Sequence, residues 1–202
     1  MRKGDFVRKE LDEKLQAVFP WLKQPELHKE KPYDYVEGYN CYENYGFDEV
    51  GDGWYQLIYD LCTEIEKIYK EAGQPVTMKL AQAKSKFARL RWYYDLPGKE
   101  IGIHAFDFIG TGSLRVFPEG DPDSLENKIA ECVRKYEAKS TTICEYCGAD
   151  NAELCNEPPV FRWISTLCPA CKADRIALYN KKMEERERFK EEMLKKKTDS
   201  MD

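Results

Sequence analysis

Apolar residues recur at steps of three and four positions in several stretches of the chain, a spacing that places them on one face of an α-helix. The clearest stretch predicts a helix over residues 53–72, which Asp52 would cap at its start and Gly73 would end. Residues 125–136 predict a second helix. The first twenty residues predict a shorter helix, which Pro20 interrupts near its end. The apolar face of this helix consists of Val7, Leu11, Leu15, Val18 and Leu22.

A different pattern, with apolar and polar residues alternating, occupies the middle of the chain and is typical of half-buried strands. It predicts strands over residues 76–81 and 89–94. Turn residues follow, and two further stretches, 101–109 and 114–117, predict a third and a fourth strand. The short spacing between these segments favours an antiparallel meander.

Two segments lack a clear amphipathic pattern. Residues 24–52 are acidic and aromatic, which favours an ordered loop over a solvated linker. This acidic segment offers a protein-binding surface formed by Tyr33, Tyr35, Tyr39, Tyr42 and Tyr45. Residues 172–197 are charge-rich and permissive of helix, with a thin apolar stripe, so we expect the first half of this helix to dock and its end to project.

The cysteine spacing predicts a metal site. Cys144 and Cys147 form one Cys-x-x-Cys pair, Cys168 and Cys171 form another, and twenty residues separate the pairs. This spacing is typical of a four-thiolate structural zinc site, and we predict one zinc ion per chain. The alternatives are buried thiols without a shared role or a redox pair. Cys155, between the pairs, is either a spare thiol or a substitute ligand.

Neighbouring residues fit such a site. Gly148 follows the first pair at a position that often needs a positive φ, and Pro169 is suited to the first turn of a helix. Lys172 and Arg175 are placed to offset the negative charge of the thiolates. Cys62 and Cys132 adjoin apolar helix faces and are predicted to be small buried hydrophobes, whereas Cys41 has no partner at metal-ligand spacing.

Together these patterns predict an α+β protein in which amphipathic helices pack on an antiparallel β meander. A treble-clef or zinc-ribbon-like module and a long charged helix would follow at the C-terminal end. The predicted organisation is an N-terminal helix and acidic segment, an α+β core, a four-cysteine module and a charged helical tail, over residues 1–52, 53–140, 141–175 and 176–202.

Composition narrows the class of protein. The chain has 202 residues, of which 42% are hydrophobic and 34% charged, so it can bury a core. No apolar run approaches the roughly 18 residues of a membrane span, and the N-terminal residues do not resemble a signal peptide. We therefore expect a cytoplasmic protein that does not enter the membrane.

Charge is unevenly distributed. The net charge is −5, yet residues 76–98 contain five basic residues and one acidic residue. The basic residues are Lys79, Lys84, Lys86, Arg89 and Arg91, which predict a cationic face on the first hairpin, with both Lys84 and Lys86 in its turn. This face could bind nucleic acid or an acidic partner, or could simply be a solvated surface. An acidic protein as a whole is a poor general nucleic-acid binder.

Evidence for catalysis is sparse. The chain has two histidines, His28 and His104, and neither lies near the cysteine pairs. His104 and Asp107 could act as a base and its orienting acid in a hydrolase, but residues three apart on a strand point to opposite faces. We therefore predict a non-enzymatic protein, with a hydrolase using His104 as an alternative.

Three features carry a resemblance to a known family: the helical stretch 53–66 that begins Gly53-Trp54, the lysine-rich stretch 82–93, and the paired cysteines with Thr166-Leu167 before the second pair. With them, residues 51–175 resemble a family of uncharacterised phage and prophage proteins. The resemblance implies an accessory intracellular protein of a mobile element that acts on host or competing macromolecules. The acidic N-terminal segment and the charged tail depart from the family pattern.

The function expected from the sequence is binding of another macromolecule. A host protein is the preferred partner, as for an anti-defence or host-takeover factor, and it would be engaged by the tyrosine-rich segment or the C-terminal helix. Nucleic-acid binding through the basic hairpin, residues 79–91, is the first alternative.

Overall fold

The computed structural model describes residues 9–23, 50–96, 106–108, 112–114, 121, 123–158, 160 and 164–199. Within these residues the predicted α+β class is confirmed. The helices are α1 (Lys9–Val18), α2 (Tyr55–Glu71), α3 (Leu125–Lys139) and α4 (Pro169–Asp199). The strands are β1 (Lys79–Ser85), β2 (Leu90–Asp95), β3 (Phe106–Phe108), β4 (Gly112–Leu114), β5 (Glu153–Cys155) and β6 (Ser165–Leu167).

The described strands form three separate antiparallel pairs, β1 with β2, β3 with β4 and β5 with β6. The single continuous meander is therefore wrong for this part of the chain. Side chains of α3 and of the 3₁₀ turn that follows it cover the edge of β2 that does not pair with β1. The N–H of Trp92 donates to Glu137 Oε1 at 2.9 Å, and the N–H of Leu90 donates to Ser140 Oγ at 2.9 Å. Because these groups satisfy the edge, β2 has no need of a third strand there.

Helix α2 ends at its predicted glycine but begins differently from its sequence signal. Asp52 does not occupy the predicted N-cap position, because a 3₁₀ turn at Asp52–Trp54 precedes the helix and Trp54 stands at its N-cap. The C-terminal prediction is confirmed, since Gly73 has a φ of +67° and its N–H donates to the Lys70 carbonyl. The N–H of Gln74 reaches back to Tyr69, which completes a Schellman motif.

The N-terminal helix ends earlier than predicted, and Val18 does not belong to its buried face. Val18 is 49% exposed, whereas the next residue, Phe19, is buried. The reason is that α1 ends at Val18, where Phe19 leaves the helical conformation and a 3₁₀ turn at Pro20–Leu22 begins. This change of direction sends Phe19 and Leu22 into the core.

The main core lies between α2, α3 and the β1–β2 hairpin. Helix α2 contributes the apolar stripe that its periodicity predicts, and Trp54 and Trp92 are among the largest fully buried side chains. At the rim of the α2–α3 contact, Glu64 accepts hydrogen bonds from Lys135 and Tyr136. None of the helices in the described ranges combines the length and the apolar character needed to cross a membrane.

The β1–β2 hairpin contains an irregularity that sequence alternation did not predict. The register shifts between Leu80 and Gln82, which is a β-bulge, so Ala83 rather than Gln82 faces the core. Lys84 consequently lies within β1, directly opposite Arg91, and not in the turn as predicted. A bulge adds one residue to a strand and reverses the faces of all residues beyond it.

Candidate metal centre

Four thiols from two distant parts of the sequence meet in one place. The Sγ atoms of Cys144, Cys147, Cys168 and Cys171 all lie within 4.8 Å of one another, close enough to hold a metal ion. The Sγ atoms of Cys147 and Cys168 lie 3.6 Å apart. The predicted ligand cluster is therefore confirmed as a spatial arrangement, with two turns as its halves: knuckle 1 (residues 144–149) and knuckle 2 (residues 168–171).

Knuckle 1 is a tight turn closed by its own backbone. The N–H of Gly148 donates to the Cys144 carbonyl at 2.9 Å, and the N–H of Cys144 donates to the Ala149 carbonyl at 2.8 Å. Gly148 has a φ of +79°, as its position predicts. The backbone of Ala149 also hydrogen-bonds the Cys147 thiol, an interaction that stabilises a thiolate ligand.

Knuckle 2 is the beginning of α4. Cys168 directly follows β6, and Pro169 is the first residue of the helix, as predicted. The N–H of Cys171 donates to Cys168 Sγ at 3.5 Å, so the sulfur acts as the helix cap. This hydrogen bond is the main cause that lowers the pKa of Cys168 to about 7. The thiolate form, which is the form that binds a metal, is thus favoured at the end of a helix dipole.

The chemistry of this cluster is that of a closed site. Four thiolates around one ion would complete a tetrahedral shell and leave no position for a water or a substrate, as in sites that stabilise structure. Cys144 and Cys168 are buried, Cys171 is half-buried and Cys147 is exposed. Three of the four thiols therefore belong to buried or half-buried residues, and the exposed Cys147 leaves one side of the cluster accessible to an ion.

The turn before α2 packs against knuckle 1, a relationship that sequence reasoning missed. The N–H of Gly53 donates to the Glu145 carbonyl at 2.8 Å, and Trp54 Nε1 donates to the Ile143 carbonyl at 2.8 Å. A Cβ on Gly51 would lie 2.1 Å from the Glu145 oxygen, so only glycine permits this approach. The Gly-Asp-Gly-Trp run was the available signal, since two glycines around one residue often mark close backbone contact.

Glu145, between the first two cysteines, joins three elements. Its N–H donates to the Thr166 carbonyl at 2.9 Å, and its carboxylate accepts from the Thr166 N–H at 2.8 Å. The side chain of Ser85 also hydrogen-bonds this carboxylate. Burial raises the pKa of Glu145 to about 7, although these hydrogen bonds oppose the shift. Glu145 thus links knuckle 1 to β6 and to the end of β1.

Two cations near the cluster have other partners than the sulfurs. Lys172 forms an ion pair with Glu157 at 2.7 Å. Arg175 donates a hydrogen bond to the Tyr146 hydroxyl and lies over its ring. The Arg175–Tyr146 contact fastens α4 to knuckle 1, whereas the Lys172–Glu157 pair joins α4 to the segment between the knuckles.

The remaining cysteines are placed as follows. Cys155 is buried beside Leu167 and Cys168 but is not one of the four clustered thiols. Cys62 and Cys132 are buried in the main core, as predicted for small hydrophobes. Burial raises the pKa of both thiols, that of Cys132 to about 12, so they remain protonated and unreactive at neutral pH.

The predicted cationic face of the hairpin is divided by the fold. Arg91 is only 4% exposed, so it does not belong to an open surface, whereas Lys79 is exposed. The ammonium groups of Lys84 and Lys86 lie over aromatic rings, 5.3 Å from the centroid of Tyr93 and 5.4 Å from that of Phe87. The five cations are therefore not one continuous patch.

Several predicted residues lie outside the described ranges. They are His28, His104 and Cys41, together with the tyrosine-rich set Tyr33, Tyr35, Tyr39, Tyr42 and Tyr45.

No protein-family model, curated protein or solved structure significantly matches this chain.

Proposed function

We propose that the protein is a zinc-stabilised, non-enzymatic binding protein whose C-terminal helix contacts another protein. The observation that carries this proposal is the surface of α4, which is exposed at every residue from 184 to 196. Three large apolar side chains lie on this part of the helix. Phe189 is 62% exposed, Met193 51% and Leu194 68%. Apolar side chains of this size on a projecting helix are typical of an interaction surface.

The metal has a structural role in this proposal. Zinc fits best because four thiolates at Cys-x-x-Cys spacing are its usual structural ligand set. Knuckle 2 is also the first turn of α4, so the ion fixes where the helix starts and which way it points. The hairpin β5–β6 between the knuckles, followed by a helix at the second pair, supports a treble-clef arrangement of this module.

The chemistry of α4 favours a protein partner over nucleic acid. Residues 184–199 contain six basic and six acidic residues, so this segment has no net attraction for phosphate. Phe189 and Met193 are four residues apart and thus adjacent on the helix surface. This arrangement suits an amphipathic helix that inserts apolar anchors into a groove. We propose a host protein as the partner because the chain resembles phage and prophage proteins, and a reducing cytoplasm as its location because the site needs free thiols.

The test is affinity capture from host lysate with matched variants of the full chain. Phe189→Ser/Met193→Ser removes the two anchors, and Glu184→Ser/Glu191→Ser makes the same number of changes on the opposite side of the helix. We expect one stoichiometric partner with the natural chain and the glutamate variant, and loss of it with the anchor variant. Metal content and melting temperature should be equal in all three. Capture that the anchor variant retains, or that no chain gives, would contradict the proposal.

Nucleic-acid binding by the hairpin is a second candidate, favoured by one observation. Lys84 and Lys86 lie over aromatic rings, and basic side chains interleaved with aromatic ones suit single-stranded nucleic acid. Oligonucleotide binding at low salt that Lys84→Ala/Lys86→Ala weakens, with a clear salt dependence, would support it. Absence of binding at low salt would rule it out.

A further inference from the structure

The turn between β1 and β2 has an unfavourable backbone conformation. The N–H of Lys86 donates to the Arg89 carbonyl at 2.9 Å, and the N–H of Arg89 donates back at 3.3 Å, which leaves two residues in the loop. Both have a positive φ, 53° for Phe87 and 59° for Ala88. A two-residue loop with two positive φ values is a type I′ turn.

Phe87 and Ala88 are poor residues for this turn. A type I′ turn favours Asn-Gly, because a Cβ is crowded by the backbone in the left-handed region. Such strain persists only where the surrounding structure holds the segment in place. The hairpin thus needs an external contact at its tip.

The structure provides that contact from the metal centre. Ala88 is 2% exposed, and its carbonyl accepts a hydrogen bond from Thr166 Oγ1 at 2.7 Å. Thr166 is held in turn by Glu145 at both its N–H and its carbonyl. Thr166 lies two residues before Cys168, and Glu145 directly follows Cys144. Both residues of the Thr166–Glu145 contact therefore lie within two positions of a candidate metal ligand.

We propose that metal occupancy is a conformational switch for the tip of the β1–β2 hairpin, residues 85–90. With the ion bound, the two knuckles are held together, Thr166 stays beside Glu145, and the Phe87–Ala88 turn is kept in its strained form. When the ion leaves, Thr166 separates from Glu145 and Ala88, and the turn relaxes. The surface that contains Lys86 and Phe87 then changes with metal occupancy.

Linkage makes the switch reciprocal. If bound metal maintains a strained turn, part of the free energy of metal binding is used for that purpose. A substitution that removes the strain should then increase the metal affinity. The increase should equal the factor by which bound metal favours the strained turn. This coupling does not involve the exposed part of α4, and it rests only on the metal-binding part of the proposed function.

The first experiment follows amide hydrogen exchange in the full chain with zinc bound and after chelation. We expect exchange of the amides in residues 85–90 to become at least about tenfold faster without metal. Thr166→Val removes the hydroxyl and should give the same fast exchange with one ion still bound. Thr63→Val is the matched control, because the Thr63 hydroxyl donates to the Tyr59 carbonyl of its own helix.

The second experiment uses a variant whose residues at the hairpin tip favour the type I′ conformation. Phe87→Asn/Ala88→Gly introduces the residues that a type I′ turn prefers. We expect the hairpin tip to stay protected after chelation, and zinc to bind about tenfold more tightly than to the natural chain. The proposal would be overturned if residues 85–90 of the natural chain exchanged equally fast with and without metal. It would also be overturned if chelation accelerated exchange in the double variant as much as in the natural chain. Because metal content is measured in each sample, failure of the metal site is recognised separately.

Discussion

Gly53 and Cys144 are in such close contact that a Cβ on Gly53 would lie 2.2 Å from the Cys144 carbonyl oxygen. The same Cβ would lie 2.6 Å from the Gly148 nitrogen and 2.8 Å from the Cys147 nitrogen. Each of these neighbours is a backbone atom in knuckle 1, so none can move aside without distortion of the metal site. The start of α2 is thus directly built onto the candidate metal centre.

Substitution of Gly53 should therefore damage both stability and metal binding. For Gly53→Ala we expect a loss of about 3 kcal/mol in the free energy of unfolding and weaker zinc affinity, because overpacking displaces knuckle 1. Urea denaturation and a competition titration with a chelator measure the two effects. Gly73→Ala is the control: its Cβ would meet nothing within 4 Å, so only its φ of +67° should cost about 1 kcal/mol, with zinc affinity unchanged.

Loss of one thiolate separates metal binding from ordinary packing. Cys147 is exposed, so Cys147→Ala removes little packing, whereas Cys155 is buried. If the four thiols bind zinc, Cys147→Ala should lose the ion and much of the roughly 10–16 kcal/mol that such binding supplies to its module. Cys155→Ala should lose only about 1 kcal/mol and keep one ion per chain.

Elemental analysis and thermal unfolding distinguish these outcomes. Burial alone predicts the opposite order, with Cys155→Ala the more damaging variant. That order, or a natural chain purified without zinc, iron or another ion, would refute the metal site.

The indole of Trp54 fastens the core to the residue before knuckle 1. Trp54 is fully buried, and Trp54→Phe would leave the Ile143 carbonyl without this donor. We expect a loss of about 1–3 kcal/mol in the free energy of unfolding. Trp21 is only half-buried, so Trp21→Phe, which loses a hydrogen bond to Glu66 at 3.1 Å, should cost less. Equal losses in chemical denaturation would contradict this interpretation.

Acid should weaken the contact between α2 and α3. Burial alone would raise the pKa of Glu64, but hydrogen bonds from Lys135 and Tyr136 outweigh it and lower the pKa below its ordinary value of 4.5. A carboxylate with a lowered pKa in the folded state stabilises the protein above its unfolded pKa, and this stabilisation is lost as the pH falls through the folded value.

Glu64→Gln should therefore be less stable than the natural chain by about 0.5–1 kcal/mol at neutral pH, as for a partly exposed ion pair. The difference should shrink as the pH falls below 4.5, since the natural carboxylate is then protonated as well. Denaturation curves over this range test the prediction. Glu71→Gln is the control, because the Glu71–Lys67 pair is exposed and its atoms are 3.8 Å apart. A difference that grows in acid would contradict the prediction.

The sequence was most informative where local physical rules act alone. Helices α2 and α3 follow from apolar periodicity, Gly73 and Gly148 from their need for positive φ, and the start of α4 from Pro169. The four ligands follow from Cys-x-x-Cys spacing, because two thiols in one tight turn can reach a single ion. Each helix, each turn and each Cys-x-x-Cys pair depends on residues a few positions apart, although twenty residues separate the two pairs.

Other features depended on contacts between residues far apart in the chain. Periodicity gave no sign that Ala81 would lie in a bulge, that Arg91 would be buried, or that Phe19 would replace Val18 in the core. In each case the packing of neighbouring elements outweighed the local pattern, because burying a large side chain changes stability more than the intrinsic preference of one residue.

Cysteine spacing and helical periodicity determined the ligand set and the main helices, since each Cys-x-x-Cys pair and each helical repeat consists of residues that are close in the sequence. Only the tertiary structure decided that Gly53, Glu145 and Thr166 surround the ligands, and that the hairpin tip rests on Thr166. These contacts join residues as far apart in the sequence as Gly53 and Glu145, or Ala88 and Thr166. Hydrogen bonds across such a distance depend on how the elements pack in space, and no local pattern of residues encodes that packing.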